Sequence, residues 1–347
     1  MDNFFVCFFF SLSSSLQMEE VTIPFPANME VSFIQEDLKP GGEALILGTH
    51  IIGEGGVGHW NALAGSTTEA GFANGDTQVT RFNNPKSFFQ LDVTNVVIAD
   101  TDNNCLRLLT RSSQVMTTTF SGECGSSGET NGPKEAARFM NPHYLARDLK
   151  PPSALIVLDA NDADNETHIR WVDIHGMATQ KFTISLLLRY FTQNPSTYTL
   201  FATTLDNQIY GIRYDEWRPL FLSGETAGGF QELAIGNGNL ALFQSPKQLL
   251  HIGDDTLLVA DEGNNRLRMV DYQEKESDSI CNGGDQSLSS ADLDSCNIES
   301  PISLYIGRCG DVFAASKYRK MYVIRGKLPR LIPLSHSKLI PRRRKYF

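Results

Sequence analysis

The stretch DANDADNE at 159–166 places Asp159, Asp162, Asp164 and Glu166 within eight residues. Hard cations such as calcium take several carboxylate and carbonyl oxygens, and this cluster could supply them. It lacks the central glycine of a twelve-residue calcium loop and the spacing of the Asp-rich nonapeptide, so a solvated hairpin tip is the competing reading. Seven histidines stand at 50, 59, 143, 168, 175, 251 and 336. His143 directly follows Pro142, where an innermost, channel-facing strand would begin, and could serve a zinc or calcium site there. Its equivalents, Lys86 and Lys247, are lysines, so no ring of three histidines forms. No His-Glu-x-x-His, Gly-x-Ser-x-Gly or Cys-x-x-Cys motif occurs. The expectation is a chain with no catalytic residues and no obligatory cofactor.

Cys281 and Cys296 flank a polar stretch, CNGGDQSLSSADLDSC, which reads as a loop closed by a disulfide; two free thiols in a reducing compartment is the alternative. Asn165-Glu-Thr167 is an N-glycosylation acceptor within the acidic loop. The N-terminus, MDNFFVCFFFSLSSSLQ, resembles the apolar core of a signal peptide with small residues after it, but Asp2 stands where Lys or Arg would be usual. A buried strand, or a true start at Met18, are the other readings. These three features point to a secreted protein, with a cytoplasmic one as the alternative. No apolar run reaches the roughly 18–20 residues that span a bilayer.

Charge excludes one class of partner. The 347-residue chain has a formal net charge of −10, but residues 319–347 hold ten Lys/Arg and no Asp/Glu. Residues 1–318 therefore carry 20 Lys/Arg against 40 Asp/Glu. Lys86 and Lys247 share a phase and could form a local basic spot, yet a body this acidic argues against binding a phosphate backbone. The ending PRRRKYF reads as a disordered basic tail, a nuclear address, an acidic-lipid contact or a protease site.

The elements that would position these residues repeat. VVIADTDNNCLRLL at 96–109 is echoed by LLVADEGNNRLRMV at 257–270: two strands around an Asn/Asp turn. Upstream of each lies Phe-x-x-Pro, Phe82/Pro85 and Phe243/Pro246, with a third copy at Phe139/Pro142. Asp100, Asp159 and Asp261 follow these prolines by 15, 17 and 15 residues. Prolines 26, 85, 142, 195, 246 and 301 are spaced by 59, 57, 53, 51 and 55 residues, and Ser316 takes the Asp place in the last unit. Gly-rich loops join one unit to the next. Units of about 50 residues with several strands make a radial array, and six of them make an all-β, six-bladed β-propeller. The predicted blades are 21–64, 65–121, 122–181, 182–222, 223–279 and 280–330, between a leader at 1–20 and a tail at 331–347.

The pattern A-G-x-x-x-x-x-G … N-G … F-x-x-P … V-x-I-A-D-T-D-N-N-x-L-R resembles the NHL repeat, which builds six-bladed propellers. Units 65–121, 122–181 and 223–279 match it; the other three match only in phase. The family's Arg after Asn-Asn is kept at Arg266 but replaced by Cys105, and the third unit inserts four residues between Asp159 and Ile169. The sets Asp100/Asn103/Asn104/Arg107, Asp159/Arg170 and Asp261/Asn264/Asn265/Arg268 recur by blade, which marks them as turn-tying rather than ligand-binding. NHL propellers include protein-binding, adhesive and RNA-binding modules and a few lyases and hydrolases. The expected function is a non-catalytic, extracellular interaction scaffold with a protein partner on one face. A metal-dependent lyase or hydrolase with a central-channel site, and an RNA-binding domain, are the alternatives.

Overall fold

The computed structural model describes residues 17–26, 29–39, 42, 44–56, 58–150, 154–224, 242–253, 255–273, 276–280, 298–307 and 310–325. They form six antiparallel sheets. A lone strand, β1 (Gln17–Thr22), precedes blade one, which holds β2 (Val31–Glu36), β3 (Ala44–Gly48), β4 (Ile51–Gly56) and β5 (His59–Gly65). Blade two adds a short edge strand, β6 (Gly75–Asp76), to β7 (Ser87–Gln90), β8 (Asn95–Asp100), β9 (Cys105–Arg111) and β10 (Val115–Ser121). Blade three is β11 (Pro142–Arg147), β12 (Leu155–Asn161), β13 (Glu166–Val172) and β14 (Ala178–Ile184). Blade four is β15 (Leu188–Gln193), β16 (Leu200–Thr204), β17 (Ile209–Ile212) and β18 (Pro219–Ser223). Blade five is β19 (Pro246–Gly253), β20 (Thr256–Asp261), β21 (Arg266–Asp271) and β22 (Glu276–Ser279). Blade six is β23 (Pro301–Ile306), β24 (Val312–Ser316) and β25 (Lys320–Arg325), completed by β1. The protein is an all-β, six-bladed β-propeller.

The aliphatic runs of the sequence follow from this arrangement. A strand between two packed blades is covered on both faces, so it need not alternate. In β8, Val96 and Ile98 pack with Leu45 and Leu47 of blade one, whereas Val97 and Ala99 pack with Leu155 and Val157 of blade three. Ile156 and Leu158 in turn join Leu200 and Ala202 of blade four. Each such fully buried side chain contributes about 1.5–3 kcal/mol. The outer strand β10 alternates, because its far side meets water.

Blade two carries a disulfide that the sequence reading did not pair. Cys105, where the repeat pattern has Arg, is joined to Cys124 in a disulfide with Cα atoms 5.0 Å apart. It ties the exit of the middle hairpin to the loop leading to blade three. The candidate pair Cys281 and Cys296 lies outside the described residues.

Two blades are framed differently from the proline count. The innermost strand of blade four opens at Leu188, which pairs with Thr204 as Pro142 pairs with Asp159. Pro195 lies beyond this strand, before β16. In blade one the equivalent residue is Val31, paired with Gly48, and Pro26 precedes the strand. Residues 17–20, grouped with a leader in the sequence reading, begin the strand that closes the ring: Gln17 pairs with Arg325 and Thr22 with Lys320. A leader cut after residue 20 would remove part of that strand.

The glycines that close the outer strands of blades one, two and four have a steric reason. Gly65, Gly122 and Gly224 hold φ of +98, +90 and +109°. A Cβ on Gly65 would stand 2.2 Å from the His50 carbonyl oxygen. Gly65→Ala is expected to lower the unfolding free energy by about 2 kcal/mol, read as an earlier urea midpoint. A midpoint matching the parent would sink this account.

Candidate functional site

The repeated Asp and Arg residues form buried clamps, one in each of the three best-matched blades. Asp100 Oδ1 accepts the Asn83 amide at 2.8 Å, and Oδ2 accepts Asn103 at 2.9 Å and the Arg107 guanidinium at 2.7 Å. Arg107 also donates to the carbonyls of Arg81 and Ala73 and to Asn74, with its guanidinium carbon 5.3 Å from the centre of the Phe82 ring. In blade three, Asp159 takes the Met140 and Asn141 amides and Arg170, which lies over Phe139. In blade five, Asp261 takes the Gln244 amide, Asn264 and Arg268, which lies over Phe243. Pro85, Pro142 and Pro246 follow these phenylalanines by three residues; Pro142 and Pro246 open the inner strands of their blades, and Pro85 stands two residues before β7. Burial pushes all three carboxyls upward, and the guanidinium, amide and Asn donors pull them back. The partners of all three carboxyls are donors, which the ionised form fits.

A second recurrent contact joins neighbouring blades. Asn104 and Asn265 end short 3-10 turns with φ of 55°, the left-handed conformation that Asn tolerates. Asn104 donates to the Met140 carbonyl, and Asn265 Oδ1 accepts the Ser300 amide at 2.8 Å. Asn207 accepts Ser245 in the same way, and in blade one His50 Nδ1 takes the part, accepting the Asn84 amide at 3.3 Å. Burial lowers the His50 pKa, which favours the lone pair this contact needs.

The acidic loop does not converge. Asp159 is committed to its clamp, while Asp162, Asp164 and Asn165 are exposed at the β12–β13 turn. Asp164 accepts a hydrogen bond from Asn161, and Glu166 from Ser185. Among the described residues, no three of His, Cys, Asp and Glu gather as a metal would need.

The axis is where side chains from all blades meet. In blades one, three, four, five and six the ladder skips a step just after the inner strand opens: Val31/Phe33, Pro142/Tyr144, Leu188/Tyr190, Pro246/Leu249 and Pro301/Ser303. In blade two, Lys86 occupies the same place immediately before β7. Such a bulge re-aims the extra side chain. The six residues so placed are Ser32, Lys86, His143, Arg189, Lys247 and Ile302. One step deeper, Phe33 meets Phe88 at 5.3 Å and Tyr144 at 5.8 Å between ring centres, and Tyr144 meets Tyr190 at 5.2 Å. Gln248 accepts Ser303 at 2.6 Å. Phe33 and Tyr144 belong to blades that are not neighbours, so their contact spans the axis. The channel is therefore a shallow mouth above a floor of rings and one amide.

Within that mouth His143 is engaged by the backbone: Nε2 is 2.8 Å from the Leu188 carbonyl and Nδ1 3.1 Å from that of Asn141. Burial lowers its pKa. Lys247 reaches Glu262 at 3.1 Å. The sequence marked Lys86, His143 and Lys247 but not Arg189, because no proline opens blade four; the bulge identifies it.

Comparison with known proteins supports the architecture. No family model matches the chain, and no curated protein matches it. Among solved structures, an auxiliary nutrient binding protein from Bacteroides ovatus superposes with a TM-score of 0.61 at 11% identity, covering 90% of this chain and 77% of its own. Virginiamycin B lyase from Staphylococcus aureus gives 0.51 at 12%, covering 89% and 99%. A chain of a nidogen/laminin complex gives 0.50 at 12%, covering 77% and 92%. At such identities the likeness is one of fold. Among the described residues, no helix is long and apolar enough to cross a membrane.

Proposed function

We propose that this protein is a non-catalytic binding propeller of NHL type, working outside the cell, that engages a protein partner through the face bearing the channel mouth. The observation that carries the reading is the mouth itself. It is a polar rim on a rigid, filled scaffold, and the buried carboxylates Asp100, Asp159 and Asp261 and the His143 imidazole near it are committed to clamp and backbone contacts. Rigid scaffolds that present variable loops are where recognition concentrates. The Cys105–Cys124 disulfide and the exposed acceptor Asn165 support an oxidising compartment.

Expression in a eukaryotic secretory host tests the location. The expected product is in the medium, with a glycosidase-sensitive mass at Asn165 and an oxidised Cys105–Cys124 pair. Retention in the cytosol with free thiols and no glycan refutes it. For the partner, labelled protein should bind intact cells or matrix saturably. Arg189→Glu at the mouth should weaken this at least tenfold, whereas Lys150→Glu on the opposite face should not. Equal binding by both variants would remove the mouth from the interface.

A further inference from the structure

The mouth carries more positive charge than its neighbours neutralise. Arg189 and Lys247 stand at the inner-strand bulges of blades four and five, and Lys86 holds the equivalent place immediately before β7 in blade two. One residue deeper, Phe33 of blade one and Tyr144 of blade three, which are not neighbouring blades, already stand 5.8 Å apart between ring centres, and Tyr190 of blade four lies 5.2 Å from Tyr144. The three cations consequently surround one small space. Lys247 is matched by Glu262, whose oxygens are further held by Ser245 and Ser300. Among the described residues, Lys86 and Arg189 have neither an ion-pair nor a side-chain hydrogen-bond partner. Burial lowers the Lys86 pKa, the charge of Asp102 raises it, and the charges of Lys317 and Arg189 lower it again; Lys247 is lowered by burial and by Arg189, raised by Glu262, and lowered by Lys86. The three groups thus sense one another across blades. Converging, half-desolvated cations with free donors are the counterpart of a compact oxyanion, and Arg189 can present two parallel N–H groups to it.

We infer that the channel mouth is an oxyanion site, formed by Lys86, Arg189 and Lys247 over the floor of Tyr144 and Tyr190, that takes a compact multivalent carboxylate or phosphate group. The inference rests on the reading of this face as the binding face and names the chemistry recognised there. The group could arrive as a free small anion or as the acidic end of a partner chain. The acidic turn tips around the mouth, among them Asp102 and Asp162, disfavour an extended polyanion and restrict the charge to the centre.

The test uses the full chain without any partner. Citrate, inorganic phosphate and a hexapeptide ending in Asp-Glu are titrated by calorimetry, with sodium chloride at matched ionic strength as the control. Saturable binding by any of the three at submillimolar to millimolar concentration is expected, weakened at least tenfold by Arg189→Met and by Lys86→Met. Citrate or phosphate binding alone identifies a free anion as the source, and peptide binding identifies a chain end. Circular dichroism of both variants establishes that the fold is kept, and Lys150→Met should bind as the parent does. No saturable binding beyond chloride, or binding unchanged in both variants, overturns the inference. Anion binding stands apart from the partner assay. If the anion binds but Arg189→Glu leaves cell retention intact, the reading of the face falls and the oxyanion site remains. The reverse pattern keeps the face and removes the oxyanion.

Discussion

Arg107→Leu lowers the unfolding free energy by about 3–5 kcal/mol, the cost of leaving a buried charge without its partner. Both side chains of the Asp100–Arg107 pair are fully buried, so no water replaces the guanidinium. The substitution also strands the Arg81 carbonyl and the amide oxygen of Asn74, and leaves the Ala73 carbonyl with the Arg81 amide alone. The carboxyl, already raised by burial above its ordinary 3.8, loses its strongest charged counterweight. A carboxyl whose folded pKa lies above its unfolded value binds a proton first in the folded state. Its stabilisation is present below about pH 4 and is lost as pH rises through the elevated folded value. The deficit of the variant should therefore be larger at pH 8 than at pH 5. Adding Asp100→Asn should recover part of it, because the orphaned charge is gone. Urea unfolding at the two pH values measures both effects. A deficit under about 1 kcal/mol at pH 8 would mean the clamp is not holding the blade.

The second large effect concerns the disulfide of blade two. Cys105 and Cys124 are 19 residues apart, and closing a loop of that size stabilises the folded state by about 3 kcal/mol on the chain-entropy account. Cys105→Ala/Cys124→Ala should lose that amount under oxidising conditions, and the difference from the parent should vanish when both are unfolded in reductant. The loss should also be local. The amide of Gly125 donates to the Asn103 carbonyl at 2.8 Å just beyond the bridge, and its hydrogen exchange should accelerate more than that of blade five. If exchange rises evenly across the ring, the bridge does not act on this loop in particular.

What could be read from the sequence was what repeats locally. Phe82, Pro85, Asp100 and Arg107 lie within 26 residues of one another and recur in blades three and five with the same partners, so their spacing carries the blade. Blade four has Leu188 for the proline and Thr204 for the aspartate, and no clamp, so its frame could not be found by counting prolines. The nearest proline, Pro195, sits one strand too late. The bridge between Cys105 and Cys124 left a fainter trace. Cys105 follows the turn residue Asn104, and Cys124 stands two beyond the strand-ending Gly122, landmarks brought together by the Gly125–Asn103 contact. Arg189 was invisible for a different reason. A bulge is a property of pairing between strands, and one strand read alone does not reveal it.

The pairing of Gln17 with Arg325 sets a clock on biogenesis. Translation at ~5–20 residues per second separates the synthesis of these two partners by roughly 15–60 s. Over that interval β1 has no sheet to join, and Met18 and Val21, which later pack within the ring, remain unburied. Contacts this distant in sequence are formed late and slowly. A nascent chain of this protein is thus an open, unfinished ring for most of its synthesis, with an early strand left unpaired that chaperones would have reason to hold.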